Sequence, residues 1–387
     1  MNMAFDLSSS ARTIMGDGSS KKLSPLLLEY GKQRIVVLMD AGIKKSGIGD
    51  GITTNLQTAG IQAKTIADLP REPGVPDVDK VIGEVKEFNP DAVIAVGGGS
   101  VLDIGKLCSV LVQSDVSVLE LLDGAEIPEH ATFTVLIPTT AGTGSEATKN
   151  AIISIPSRNT KGAVVHERLL PDLVLLDPAL TTSLPEGITT TTGMDALCHA
   201  MECYFSKKAN AMSDLLALDA IKRIARSIRK TIGDGQDIEA RSDMMLAAYY
   251  AGMCITLSGT NAVHALSYPL GTRYHIPHGQ SNAMLLPYVM EQNLAAMPEK
   301  SLYAAKCFGY DPQKKDWRPA DYLVKELHSL LDDLDINTSL KAFGVKIEDT
   351  EMLVESAHQN RRLMDNNPVD LTKAQIGAIY SRLMGEK

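Results

Sequence analysis

The sequence predicts an α/β half followed by an all-helical half. Two observations carry this. Up to about residue 186, apolar runs of strand length alternate with helical periodicity; beyond it the strand signals stop while helical spacing of apolar residues continues. The chain has 387 residues, 44% of them hydrophobic, enough for a large core and more than one typical domain. We therefore expect a parallel-sheet α/β domain over 1–186 and a helical-bundle domain over 187–387.

The strands come first. "RIVVLMD" (34–40), "DAVIAV" (91–96), "FTVLIPT" (133–139) and "LVLLDP" (173–178) are apolar without alternation, as a parallel sheet covered on both faces requires. "VDKVIGEVKEF" (78–88) between them has helical spacing. After "TTSLPEG", where Ser183 and Glu186 have the spacing of a capping box, helices are expected over 211–232, 239–255, 320–334 and 372–384. No internal repeat or low-complexity tract interrupts this plan.

Net charge is −9 with no dense Lys/Arg block, which argues against nucleic acid and for small-molecule partners. No run of 18 apolar residues and no signal-peptide pattern occurs, so a cytoplasmic protein away from membranes is expected. Five scattered cysteines without a CxxC pair fit reduced, buried thiols, Cys198 included.

"DAVIAVGGGSVLDIGK" (91–106) runs from a buried strand through three glycines into a helix. Such a turn brings backbone N–H groups and a helix N-terminus close to an anion such as phosphate, although a tight turn alone would read the same way. Leu102 stands where a G-x-G-x-x-G fingerprint would have its last glycine. The polar loop "PTTAGTGSEATKN" (138–150) ends the next strand, on the edge where open α/β sheets bind ligands, and strengthens a nucleotide reading.

In "TTGMDALCHAMECYFS" (191–206), Asp195, His199 and Glu202 fall within an arc of about 60° on a mostly apolar helix. Burying a carboxylate needs a cation or good hydrogen bonds. Two reconciliations are open: a buried Asp195–His199 pair, or two ligands of one metal. "GTNAVHALSYPLGTRYHIPHGQSN" (259–282) supplies His264, near the end of a helical stretch, and His275 and His278 around a proline-bearing turn. One Asp with three His suits Fe²⁺ or Zn²⁺ and leaves room for substrate. His130, His166, His328 and His358 lie outside any cluster.

In order and spacing, "GGGSVLDIGK", "PTTAGTGSE", "LLPDLVLLDPALTTSLP", "TGMDALCHAMECY", "HALSYPLG" and "IPHGQSNAMLLP" resemble the iron-containing (group III) alcohol dehydrogenases, which include lactaldehyde reductase and 1,3-propanediol dehydrogenase. The resemblance implies a Rossmann-like N-terminal domain, a helical C-terminal domain and a cleft between them, a dehydroquinate synthase-like architecture. It implies metal ligands Asp195, His199, His264 and His278, with Fe²⁺ as the metal and Zn²⁺ as the alternative. Glu202 then becomes a partner of the ligands or a structural group. Cofactor contacts would fall on Gly97, Gly98, Gly99, Ser100, Asp103, Thr139, Thr140, Thr143 and Lys161. Asp40 matches the family's acidic residue near the adenine ribose, which favours NAD(H) over NADP(H).

The implied reaction passes hydride between nicotinamide and a small primary alcohol or aldehyde whose oxygen a metal polarises. Many relatives carry a histidine four residues after the third ligand; this chain has Tyr268 there, which puts the usual proton relay in doubt and makes Tyr268 and His275 the relay candidates. Asn150 and Ile255 match pocket positions. Arg273 is a candidate for binding an anionic substituent. A homodimer or larger assembly is implied. The rival readings are a non-redox enzyme of the dehydroquinate synthase type and a catalytically silent scaffold of the same fold.

Overall fold

In the computed structural model, which describes residues 2–385 apart from 71, 130, 159 and 315, the chain forms two compact units. One is Ser8–Leu184; the other runs from Pro185 onward and includes residues 2–7. That last grouping departs from the expected 1–186 range and has a local cause: the Asn2 carbonyl accepts the Ala211 N–H at 2.9 Å, and Asn2 bridges Asn210.

The α/β unit holds strands β1 (Arg12–Met15), β2 (Arg34–Asp40), β3 (Gln62–Leu69), β4 (Ala92–Gly97), β5 (Phe133–Pro138), β6 (Asn150–Ile155), β7 (Thr160–Val165) and β8 (Leu173–Leu176). Its helices are α1 (Leu23–Glu29), α2 (Ala41–Lys45), α3 (Ile48–Thr58), α4 (Val75–Phe88), α5 (Gly99–Leu111) and α6 (Val118–Leu122). Six strands form one parallel sheet in the order β1-β8-β5-β4-β2-β3, and β6 and β7 form an antiparallel hairpin. Residues of β2, β4 and β5 alternate between two apolar clusters, one on each face: Val36, Val93 and Leu136 in one, Ile35, Ile94 and Val135 in the other. This is why those strands read as unbroken apolar runs.

The helical unit contains α7 (Glu186–Tyr204), α8 (Ala211–Gly233), α9 (Ile238–Ser258), α10 (Ala262–Tyr274), α11 (His278–Leu294), α12 (Pro298–Cys307), α13 (Pro319–Asp333), α14 (Thr350–Gln359), α15 (Arg361–Met364) and α16 (Lys373–Leu383). Two expectations are corrected here. The capping box of Ser183 and Glu186 does not form, because Pro185 is the cap residue of α7 and its carbonyl accepts the Ile188 and Thr189 N–H groups. His264 lies in the first turn of α10, not near the end of a helical stretch, because Asn261 caps that helix through its side chain. Among the described residues, no helix is long and apolar enough to cross a membrane.

Candidate metal centre and cofactor loops

Asp195 and His199 lie one turn apart on α7, His264 opens α10 and His278 is the first residue of α11. One donor atom from each can be chosen so that all four lie within 4.8 Å of one another, and this is the one such group of three or more among the described residues. Asp195 Oδ1 is 3.8 Å from both His199 Nε2 and His278 Nε2. The His199 and His264 rings stack at 4.9 Å, and His278 meets His264 edge-on at 5.1 Å. Burial pushes the Asp195 carboxyl up, but the three imidazoles and the Asn282 amide reverse this and hold it below the ordinary value.

Two small features of the chain make this approach possible. Gly279 follows His278, and a Cβ there would sit 2.2 Å from the Thr191 carbonyl oxygen, so only glycine lets α11 lie this close to α7. Glu202, which is 0% exposed, joins α7 to the start of α10. Its Oε1 accepts the N–H groups of Asn261, Val263 and His264 at 3.0, 2.8 and 3.3 Å, where a helix N-terminus favours negative charge. Its Oε2 bonds His264 Nδ1, which places that ring's proton on Nδ1 and leaves the Nε2 lone pair for the cluster. Burial alone would push the His264 imidazolium down, but Glu202 outweighs it and the net shift is upward.

The fit to a divalent metal is good on three counts. The donors are one carboxylate oxygen and three imidazoles, a set suited to Fe²⁺ or Zn²⁺. An outer carboxylate orients one ring. A buried amide, Asn282 Nδ2, donates to Asp195 Oδ1 at 2.8 Å and so holds the anionic donor toward the cluster.

Tyr268, one turn after His264, packs edge-on against that ring at 6.4 Å and lies 6.1 Å from the His278 ring. Its phenol is pushed up by burial, more than the hydrogen bond and charge of Arg362 lower it. His275 instead takes the left-handed cap of α10 at φ 54° and is exposed. Arg273 is exposed as well, and its charge acts on Tyr274 and Asp349. Nine residues after His264, it points about 180° away around the helix. Arg362 on α15, exposed like Arg273, is the guanidinium whose charge acts on the Tyr268 phenol and on His264; the sequence holds no local signal for it. Ile255 is half-buried on α9.

In the α/β unit the two polar loops meet. A Cβ on Gly98 would lie 3.6 Å from Thr140, and one on Gly99 would sit 2.8–3.0 Å from the Thr143 side chain. The Thr139 N–H donates to the Gly97 carbonyl at 3.0 Å. Helix α5 begins at Gly99, so its first N–H groups and the half-buried Ser100 open on this cradle. Close packing of α5 on β4 comes from Gly105, whose Cβ would be 2.6 Å from that of Ala95. It does the packing work that Leu102 cannot.

Asp103 faces inward. Its Oδ1 accepts Ser145 Oγ at 2.5 Å and its Oδ2 accepts the Ile152 N–H at 3.0 Å. Lys106, fully buried and with its pKa pushed below the ordinary lysine value by that burial, lies 3.2 Å from Asp103 and donates to the Asn150 carbonyl at 2.6 Å and to Thr148 Oγ1 at 3.1 Å. Asp103 and Lys106 thus brace the second loop and hold Asn150 at the start of β6. Burial pushes the neighbouring Glu146 carboxyl up to about 7. Asp40 ends β2 and caps α2 through the Ile43 N–H at 2.9 Å. Lys161 on β7 pairs with Glu72 at 3.7 Å. Of the histidines set apart earlier, His166 caps a short turn and His328 packs on Tyr288, while His130 lies outside the described residues.

Comparison with known proteins agrees with this geometry. Residues 10–178 match the family model "Iron-containing alcohol dehydrogenase", and residues 189–384 match "Fe-containing alcohol dehydrogenase family, C-terminal". Long-chain-alcohol dehydrogenase 1 of Geobacillus thermodenitrificans is 38% identical over 95% of this chain and 93% of its own. A crystal structure of 1,3-propanediol oxidoreductase superposes with a TM-score of 0.93 at 30% identity, covering 98% of this chain and 100% of that one. Sulfoacetaldehyde reductase from Bifidobacterium kashiwanohense, in complex with NAD⁺, does so with a TM-score of 0.92 at 26% identity over 100% of both chains. Both the non-redox and the scaffold readings give way to these matches, and the chain belongs to the iron-containing alcohol dehydrogenase family as an oxidoreductase.

Proposed function

We propose that this chain transfers hydride between NAD(H) and a small primary alcohol or aldehyde, with Fe²⁺, or alternatively Zn²⁺, held by Asp195, His199, His264 and His278. The observation that carries this reading is the convergence of four donor atoms within 4.8 Å in a buried part of the helical unit. When bound, such a metal supplies Lewis acidity to the substrate oxygen. The protein's part is to hold the donors, to orient His264 through Glu202, and to offer Tyr268, on which the Arg362 charge acts, as the group that holds or moves the proton. His275, exposed at a helix end, is the weaker relay candidate. Gly97, Gly98, Gly99, Ser100, Thr139, Thr140 and Thr143 form the pyrophosphate cradle, Asp103 braces its second loop from within, and Lys161 on β7, paired with Glu72, remains a candidate cofactor contact. Growth of NADH absorbance when a short primary alcohol is added, and its loss with a chelator, tests the reading. Turnover indifferent to chelation would overturn it.

For the cofactor, Asp40 Oδ1 accepts the Ile43 N–H, and Oδ2, with no hydrogen bond among the described residues, is the oxygen offered to the ribose hydroxyls. Hydrogen bonds to a charged group contribute about 1.5–3 kcal/mol, so Asp40→Ala is expected to reduce the preference for NAD⁺ over NADP⁺ by about tenfold or more, read as a ratio of kcat/KM values.

For the substrate, Arg362 replaces Arg273 as the residue to recognise an anionic substituent, a reading in keeping with the sulfoacetaldehyde reductase among the structural relatives. Arg362→Leu is expected to raise KM about tenfold for an aldehyde bearing a sulfonate or carboxylate and to change it little for a neutral one, while Arg273→Leu affects neither. Equal losses on both substrates in Arg362→Leu would remove the anion-binding role.

A further inference from the structure

We infer that Asn282 is the positioning residue of the donor cluster: its carboxamide N–H₂ fixes the Asp195 carboxylate and closes the side bounded by Asp195, His264 and His278. The inference rests on the metal-centre reading above.

Asn282 lies one helical turn after His278 on α11 and is fully buried. Its Nδ2 is 2.8 Å from Asp195 Oδ1, 3.3 Å from His264 Nε2 and 3.2 Å from His278 Nε2. An amide nitrogen has two hydrogens, so it cannot donate to all three. The shortest contact is the one to the carboxylate, where a charged acceptor makes the bond stronger. At the other end of the group, Oδ1 is buried with no hydrogen-bond partner among the described residues.

A buried carbonyl left unpaired costs free energy. The cluster therefore decides which way the carboxamide faces. Turned over, it would set Oδ1 against Asp195 Oδ1 and against the Nε2 lone pair that Glu202 fixes on His264. Asn282 thus does for Asp195 what Glu202 does for His264, each holding one donor atom in place with a group that is not itself in the donor set. Lying against three donors at once, it also leaves an incoming ligand only the remaining sides of the cluster.

The test is chelator-competition titration of Co²⁺ and Zn²⁺ into full-length, metal-stripped wild type, Asn282→Ala and Asn282→Leu, with visible absorption of the Co²⁺ forms as a second readout. Alanine removes both the donor and the volume, whereas leucine removes the donor and keeps most of the volume; circular dichroism confirms that each variant is folded. Because outer partners of metal ligands typically contribute about 10–100-fold in affinity, both variants are expected to bind at least about fivefold more weakly. The Co²⁺ bands should weaken in Asn282→Ala, where water gains the opened side, and hold their intensity in Asn282→Leu. Affinities that fall less than that in a folded variant overturn the role of Asn282 and leave the metal centre standing. Wild type that binds neither metal overturns both.

Discussion

Asp195→Asn is expected to lose metal binding and, with it, at least about a thousandfold in kcat/KM. The substitution keeps the side chain's shape but removes the one anionic donor of the cluster, and Asp195 Oδ1 is the atom 3.8 Å from two of the three imidazoles. Without it, three neutral rings must hold a divalent cation in a buried place, with no charge to offset the lost hydration. Lewis-acid stabilisation contributes several kcal/mol to such a transition state, and each 1.36 kcal/mol is a factor of about ten in rate. The measurement is metal content after dialysis together with steady-state kinetics. A variant that keeps stoichiometric metal would show that the carboxylate is not a ligand.

Glu202→Leu should strongly destabilise the helical unit. The carboxylate receives three backbone N–H groups of the α10 start and the His264 Nδ1 proton, all in a fully buried position. Removing it strands these donors together, and breaking a buried pair of this kind costs about 3–5 kcal/mol. For a domain stabilised by roughly 5–15 kcal/mol that is a large fraction of the total. Urea unfolding of the metal-stripped protein, compared with wild type, should show the loss directly. Glu202→Gln should lose less, because a carbonyl oxygen remains to accept the N–H groups of α10. A midpoint for Glu202→Leu within error of wild type would refute the anchoring role.

These two residues also show what sequence alone could tell. The polar stripe of Asp195, His199 and Glu202 was visible because a mostly apolar helix carries buried ionisable groups only where a cation or good hydrogen bonds offset their burial. The division of labour within the stripe was less visible. Glu202 serves the first turn of α10, and that turn's position depended on the Asn261 cap, which lies outside any apolar periodicity. Strands β2, β4, β5 and β8 were legible because both faces are buried. Strand β3 was not, since its residues mix exposed and buried positions at the sheet edge, nor was β1, a short edge strand with alternating exposure. The phosphate-loop glycines could be read as a turn, but the inward-facing bracing by Asp103 and Lys106 needed the 145–150 loop in place. Arg273 is suggested as a site residue by its closeness in sequence to His275 and His278, whereas on α10 it is exposed and about 180° around the helix from His264. Asn282 and Arg362 carry no motif of their own, because their meaning lies in what α11 and α15 bring them to face.

Titrating Fe²⁺ or Zn²⁺ back into the stripped protein while following NADH formation tests the central claim most directly. With four donors in a single group, activity should rise linearly and break at one equivalent per chain, and the same protein carrying Asp195→Asn should show neither rise nor break. Full turnover before any metal is added, or a rise without a break at one equivalent, would contradict the assignment of the chemistry to this cluster.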